Sequence, residues 1–296
     1  MADTELSTYY WRDHAKRRYT DIRQVQASKL LPIQRFLAER NFEKLEGSLI
    51  SAEQLHNPAG DSPVYLQKRL NYVMLLDQLQ CQYMMEIGFN WGYSASLLLE
   101  SSPASSLHSV DIGWHWYTPP TGDLLAAIYP GRFRYTWQDS REALLTEVAA
   151  GNRYDMISVD GGHDYSIARS DIMLSVELLR EGGLLMVDDT DGPSVAAAVL
   201  ATVAGHPDMI ELTAANFGLF DFGKSEQPCF EQRYFLKRAQ FKLGYTAAVA
   251  DTGVGKLAGV PPAVIEHAVA EPARPPAAPP SVLRRAVNKF RRMSGL

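Results

Sequence analysis

Two groups of side chains in this 296-residue sequence are of types that do chemistry together. The first is acidic with a histidine. Ile157-Ser-Val-Asp160-Gly-Gly-His163-Asp-Tyr165 puts a carboxylate at the end of an apolar run and an imidazole three residues later, and Leu185-Met-Val-Asp188-Asp189-Thr-Asp191 ends another run in acid. Ligands of parallel α/β sheets sit beyond the carboxyl ends of the strands, and neighbouring strands lie about 4.8 Å apart, so these groups converge if the two runs are adjacent strands. Three or four carboxylates at one edge repel one another unless a cation lies among them, and oxygen donors favour a hard ion such as magnesium or manganese. The competing reading is local: Asp188, Asp189 and Asp191 cap a helix beginning at Gly192-Pro193, and His163-Asp164 cap one beginning at Tyr165.

The second group is a loop. Tyr83-Met-Met-Glu86-Ile-Gly88 leads into Phe-Asn90-Trp-Gly92-Tyr-Ser-Ala-Ser, so two glycines four apart lie between an apolar strand and a helix. Such a turn cradles a nucleotide-like ligand. Gly88 supplies the backbone angles of a tight turn, Gly92 lets a ligand approach the helix start without meeting a Cβ, and Glu86 faces the ligand from the strand end. Asp111 ends the next strand, where a carboxylate can take both hydroxyls of a ribose. The dinucleotide fingerprint has three glycines as GxGxxG; here the loop is GxxxG with the bulky Phe89 inside it, which argues against a pyrophosphate packed on the turn and leaves an NAD-type cofactor, or a glycine turn with no ligand, as the alternatives.

Glu86-x-Gly88-x-x-x-Gly92 with Asp111 resembles motif I and its following acidic residue in the class I S-adenosylmethionine-dependent methyltransferases. That resemblance implies a loop, with Gly88, Asn90 and Gly92, that binds the methyl donor, Glu86 or its surroundings holding the methionine amino group and Asp111 holding the ribose. Gln138-Asp139-Ser140 follows the third strand where many relatives have Gly-Asp-Ser beside the adenine; Gln138 departs from that glycine. Asp139-Ser140 also reads as a helix N-cap, with Glu142 in the first turn. Asp160-x-x-His163 followed by Asp188-Asp189 resembles the metal-dependent sugar O-methyltransferases of the macrocin and mycinamicin type, over roughly residues 80–240. The resemblance implies Asp160, Asp188 and Asp189 as ligands of Mg2+ or Mn2+, His163 as general base, and a hydroxyl of a small molecule or glycan as acceptor. The rival functions are an NAD-dependent oxidoreductase and a non-catalytic scaffold that keeps the cofactor fold.

These residues need a sheet to present them. From residue 82, short apolar runs each followed by a helical segment mark βα units: Tyr83 to Ile87, Leu107 to Val110, Phe133 to Trp137, Met156 to Val159 and Leu184 to Val187. Gly218–Phe222 and Tyr234–Leu236 follow with no room for a crossover helix and are expected as an antiparallel edge hairpin. The fold expected is a Rossmann-like, doubly wound α/β sheet, mostly parallel, with a helical N-terminal extension over 1–64 for lid, substrate or oligomer contacts and a catalytic domain over 65–245. Within the extension Leu30-Leu31-Ile33-Phe36-Leu37 recurs at helical spacing, and Leu66 to Leu79 forms a longer helix. Seven prolines between 261 and 280 prevent regular structure, so 246–281 is a linker. Residues 282–296 form a basic amphipathic tail suited to weak contact with an anionic membrane surface or to a partner.

Hydrophobic residues make up 46% and charged residues 21%, enough apolar material for a large core, and the net charge of -5 lacks the electropositive footprint of a nucleic-acid binder. A small-molecule or carbohydrate acceptor is therefore expected. No run reaches the length of a spanning helix and Met1-Ala-Asp-Thr-Glu lacks signal-peptide character, which favours a cytoplasmic location. The two cysteines, Cys81 and Cys229, match no zinc or redox pattern. Gly113-Trp-His-Trp-Tyr-Thr-Pro-Pro120 brings three aromatics together after the second strand, either to stack on an acceptor or to pack beneath the N-terminal helices.

Overall fold

The computed structural model describes residues 2–40, 63–222 and 231–238. The expected linker over 246–281, the basic tail over 282–296 and Cys229 lie outside them. Helices α1 (Ala2–Lys29), α2 (Leu31–Ala38) and α3 (Pro63–Leu79) precede the alternating part. That part runs β1 (Tyr83–Ile87), α4 (Tyr93–Ser101), β2 (Ser106–Asp111), α5 (Thr118–Ile128), β3 (Phe133–Trp137), α6 (Ser140–Ala149), β4 (Tyr154–Val159), α7 (Tyr165–Leu178), β5 (Leu179–Val187), α8 (Pro193–Thr202), β6 (Met209–Leu212), α9 (Ala214–Phe217) and β7 (Arg233–Lys237). No helix among the described residues is long and apolar enough to cross a membrane.

The seven strands are ordered β3-β2-β1-β4-β5-β7-β6, the first five parallel and β7 antiparallel to both its neighbours. The chain order reverses between β1 and β4, the switch point of a doubly wound sheet, where the crevice beyond the strand ends is widest. Both faces are buried, as a parallel sheet requires, and successive residues alternate between them. Met84, Leu107, Met156, Leu184 and Met186 face a core shared with α1 to α5, whereas Met85, Ile87, Val110, Ile157, Val159, Leu185 and Val187 face one shared with α6 to α8.

The expected edge pairing is present but one partner differs. β7 pairs with Met209–Leu212, not with Gly218–Phe222. The latter segment gives its backbone groups to helix side chains instead: Asn71 Nδ2 donates to the Phe220 carbonyl (3.1 Å), Phe220 N–H donates to Asn71 Oδ1 (2.8 Å), and Arg12 donates to the Leu219 carbonyl (2.7 Å). A backbone satisfied in this way has nothing left for a ladder. It ties α1 and α3 to the β5–β7 side of the sheet.

Polar anchors hold α1 elsewhere too. Arg18 makes a forked pair with Asp77 of α3 (3.1 and 3.0 Å) and donates to the Ser101 carbonyl (2.8 Å), while Gln26 donates to the Tyr93 carbonyl (2.9 Å). With Tyr19, Ile22, Leu30 and Ile33 buried, the N-terminal helices are part of the main core rather than an appendage to it.

Candidate active site

Beyond the strand ends the parallel ladder continues into the loops. Gly88 N–H donates to the Val110 carbonyl (2.8 Å), Gln138 N–H to that of Asp111 (2.8 Å), Asp160 N–H to that of Ile87 (2.8 Å) and Asp188 N–H to that of Val159 (2.9 Å). Gly88, Gln138, Asp160 and Asp188 are thereby fixed along one edge. The spacing between the loop half and the acidic half of the site is set by backbone hydrogen bonds.

Gly88 has φ of 94°, and a Cβ built there would lie 1.8 Å from the carbonyl oxygen of Asp160. Only glycine allows β1 and β4 to approach so closely where they diverge. At Gly92 the missing Cβ makes room for the Phe89 ring, 2.6 Å from where that atom would stand. Phe89 turns into the core, with ring centroids 5.5 Å from Phe133 and 5.6 Å from Trp137, so the bulky residue in the loop is part of the packing. Asn90 adopts φ of 53° at the tip of the turn, its carbonyl accepting from the Thr118 hydroxyl (2.6 Å).

Asp111 shapes this loop. One of its oxygens accepts from the N–H groups of Phe89 (2.8 Å) and Asn90 (3.1 Å), and the other from Gly113 N–H (2.7 Å). Glu86 is buried beneath the start of α4, accepting hydroxyl hydrogen bonds from Ser94 (2.5 Å) and from its register partner Ser109 (2.7 Å). Burial raises its pKa to about 7 against the pull of those hydroxyls. Asp139 caps α6, accepting from Arg141 N–H and its Nε (both 2.9 Å), so the capping role is real and its pKa is lowered by the Arg141 guanidinium. Ser140 points toward α7 and donates to Asp171 Oδ1 (2.7 Å), a wholly buried carboxyl whose pKa burial raises to about 7.

In the acidic half, Asp160, His163 and Asp189 each bring a ligand atom within 4.8 Å of the others. His163 Nε2 lies 2.8 Å from Asp189 Oδ2, and that hydrogen bond raises the imidazole pKa despite partial burial. Asp189 has φ of 54°, a left-handed conformation that costs a non-glycine residue on the order of 1–3 kcal/mol and is kept only where the surroundings enforce it. Asp164 occupies the N-cap of α7 without a side-chain cap bond, and Gly192 occupies that of α8.

Asp188 stands apart from that group. Its Oδ1 accepts from Lys68 Nζ of α3 at 2.5 Å and from Asp189 N–H at 2.8 Å. Burial alone would lower the Lys68 pKa, but the charges of Asp188 and Asp160 and the bond to Asp188 outweigh it, and the ammonium is held above its ordinary value. Asp160 is driven well above the carboxylate range by desolvation and by the charges of Asp188 and Asp189. Asp160 and Asp189, two carboxylates converging at this edge, are oxygen donors of the kind that hold a hard divalent cation. Lys68 and Asp171 were not among the residues singled out from sequence. Lys68 sits on a helix 92 residues before Asp160, and nothing local marks either one.

Residues 85–190 match the family model described as "Methyltransferase domain". No curated protein shows significant sequence similarity to the chain. Among solved structures, the O-methyltransferase TomG of Streptomyces achromogenes, involved in tomaymycin synthesis and solved with S-adenosylmethionine, is 17% identical; the match covers 71% of this chain and 90% of that one, with a TM-score of 0.50. An O-methyltransferase of Bacillus cereus in complex with SAH is 14% identical over 71% of this chain and 91% of its own, with a TM-score of 0.48. The fold is that of a Rossmann-like methyltransferase, and the match to the methyltransferase-domain model spans β1 to the loop after β5.

Proposed function

We propose that this chain is an S-adenosylmethionine-dependent O-methyltransferase, dependent on a divalent metal and acting on a hydroxyl of a small molecule or sugar, with His163 as general base. The observation that carries the reading is the convergence of Asp160, His163 and Asp189 at the strand edge that also holds Gly88. The loop from Gly88 to Gly92 borders the methyl donor, Glu86 lies toward its ammonium group, and Asp111, Asp139 and Ser140 border the nucleoside. Asp160 and Asp189 would hold Mg2+ or Mn2+, which when bound stabilises an acceptor alkoxide.

The remaining chemistry belongs to side chains. Asp189 fixes the imidazole through Nε2 and leaves Nδ1 to take the proton of the acceptor hydroxyl. The oxygen so released attacks the sulfonium methyl in line, and the thioether leaves. Positioning of two bound molecules supplies much of the rate. Beside this edge, Trp114 is 82% exposed, whereas Tyr117 is buried and Trp116 meets Phe36 of α2 with ring centroids 6.1 Å apart. The aromatic segment thus divides between packing and a free face, and Trp114 is the ring we assign to the acceptor side.

Titration calorimetry with S-adenosylmethionine and with NAD, each with and without Mg2+, tests the reading. Binding of the first and not the second is expected, and methyl transfer to a panel of vicinal diols should vanish in EDTA and return with Mg2+ or Mn2+. Activity indifferent to EDTA would remove the metal from the mechanism.

The state of Glu86 gives a second expected result. An ammonium group brought near this carboxyl favours its charged form, so binding of the donor releases a proton at pH values below about 7. Affinity for S-adenosylmethionine should therefore rise with pH up to about 7 and level off above it, by at most about tenfold per unit. Calorimetry at pH 6 in two buffers of different ionisation enthalpy reads the released proton directly. Glu86→Gln should abolish the release, and a proton count that the substitution leaves unchanged would assign it elsewhere.

A further inference from the structure

We infer that Lys68 and Asp188 are positioning residues that hold Asp189 in its functional conformation, and that Asp188 is not a metal ligand. The inference rests on the metal-site reading above for its purpose, although the arrangement itself stands on geometry. Lys68 Nζ lies 2.5 Å from Asp188 Oδ1, and the same oxygen accepts Asp189 N–H at 2.8 Å. One carboxylate oxygen thus joins helix α3 to the backbone of the residue that carries the next carboxylate. Asp189 is held there at φ of 54° with its Oδ2 2.8 Å from His163 Nε2.

The direction of the relay follows from what each group lacks. A left-handed aspartate needs something to hold it, and its amide bond to Asp188 does so. The charges of Asp160 and Asp189 both bear on Asp188, and the Lys68 ammonium is the cation set against them. The pair is largely desolvated, with side-chain exposures of 12% and 10%, so it is neither screened nor free to exchange with solvent. The anchoring of α3 to the sheet through Asn71 fixes where the ammonium can reach. Asp188 is accordingly absent from the group of ligand atoms that Asp160, His163 and Asp189 bring within 4.8 Å of one another. The helix before the sheet, outside the matched domain, therefore sets the geometry of the acidic half.

The two roles for Asp188 make opposite predictions for the variant Lys68→Met. If Asp188 is a ligand withheld by Lys68, freeing it should tighten Mn2+. If it positions Asp189, the relay collapses: hydrogen exchange of the Asp189 amide should accelerate at least tenfold, and Mn2+, followed by electron paramagnetic resonance of the full chain, should bind at least tenfold more weakly. Asp188→Asn keeps an oxygen that accepts from both Lys68 and the Asp189 amide, so exchange and Mn2+ affinity should stay within about threefold of the starting protein. Tighter Mn2+ in Lys68→Met, or unchanged exchange at Asp189, overturns the inference, as does loss of Mn2+ in Asp188→Asn with the amide still protected. Should the unsubstituted protein bind no Mn2+, the metal reading fails by itself, and amide exchange alone decides the positioning role.

Discussion

His163→Ala is expected to lower kcat for methyl transfer to a vicinal diol by about 10²- to 10⁴-fold, the range by which a positioned general base contributes, with little change in the affinity for S-adenosylmethionine. The split follows from the site's two halves. His163 belongs to the acidic half, whereas the donor loop is built by β1, β2 and α4, which the imidazole does not touch. Single-turnover transfer from labelled donor measures the chemical step, and calorimetry measures donor binding. A variant that transfers at full rate removes His163 from the chemistry, and one that loses donor affinity instead would make it a structural residue.

The pH dependence sharpens the same test. The hydrogen bond with Asp189 raises the imidazole pKa, so His163 is protonated, and useless as a base, over a wider acid range than a free histidine. The rate should rise with pH through that raised value. Asp189→Asn removes the charge that raises it, so in the metal-free protein the His163 ring resonances should titrate at lower pH than in the unsubstituted chain. An unmoved titration would mean that another group sets the imidazole.

What could be read from sequence follows a physical division. The five parallel strands were legible because each is an apolar run followed by a helical segment, and the strand tips gave Glu86, Asp111, Asp160 and Asp188 their places. Asp188 shows the limit. Its position on the edge follows from the strand, but its partner follows from where α3 crosses the sheet, and no local pattern marks Lys68 as different from any other lysine on a helix. Gly92 shows another. The spacing of that glycine suggests a ligand, and the packed Phe89 ring that its missing Cβ also admits has no signal in the sequence. Gly218–Phe222 was misplaced for a related reason: its apolar residues suit a strand, and its backbone partners are side chains more than a hundred residues away.

Gly88→Ala should cost about 4 kcal/mol or more, in the exceptional range for a single substitution, and lower Tm by ~10 °C in a domain of this size. The added carbon would stand 1.8 Å from the carbonyl oxygen of Asp160 and 2.6 Å from its carbonyl carbon, and both are backbone atoms that cannot rotate away. Relief requires β1 and β4 to separate at the point where Asp160 N–H donates to the Ile87 carbonyl, which moves Asp160 and opens the donor loop together. Donor binding and metal binding should therefore fail in one step. Gly131→Ala isolates the backbone contribution. That glycine has φ of 75°, nearly as unfavourable for alanine, yet nothing lies within 4 Å of the added carbon, so the cost should be about 1 kcal/mol with both ligands still bound. Equal losses in the two variants, read from thermal unfolding and calorimetry, would show that conformation and not the close approach of β1 to β4 makes glycine necessary at the centre of the site.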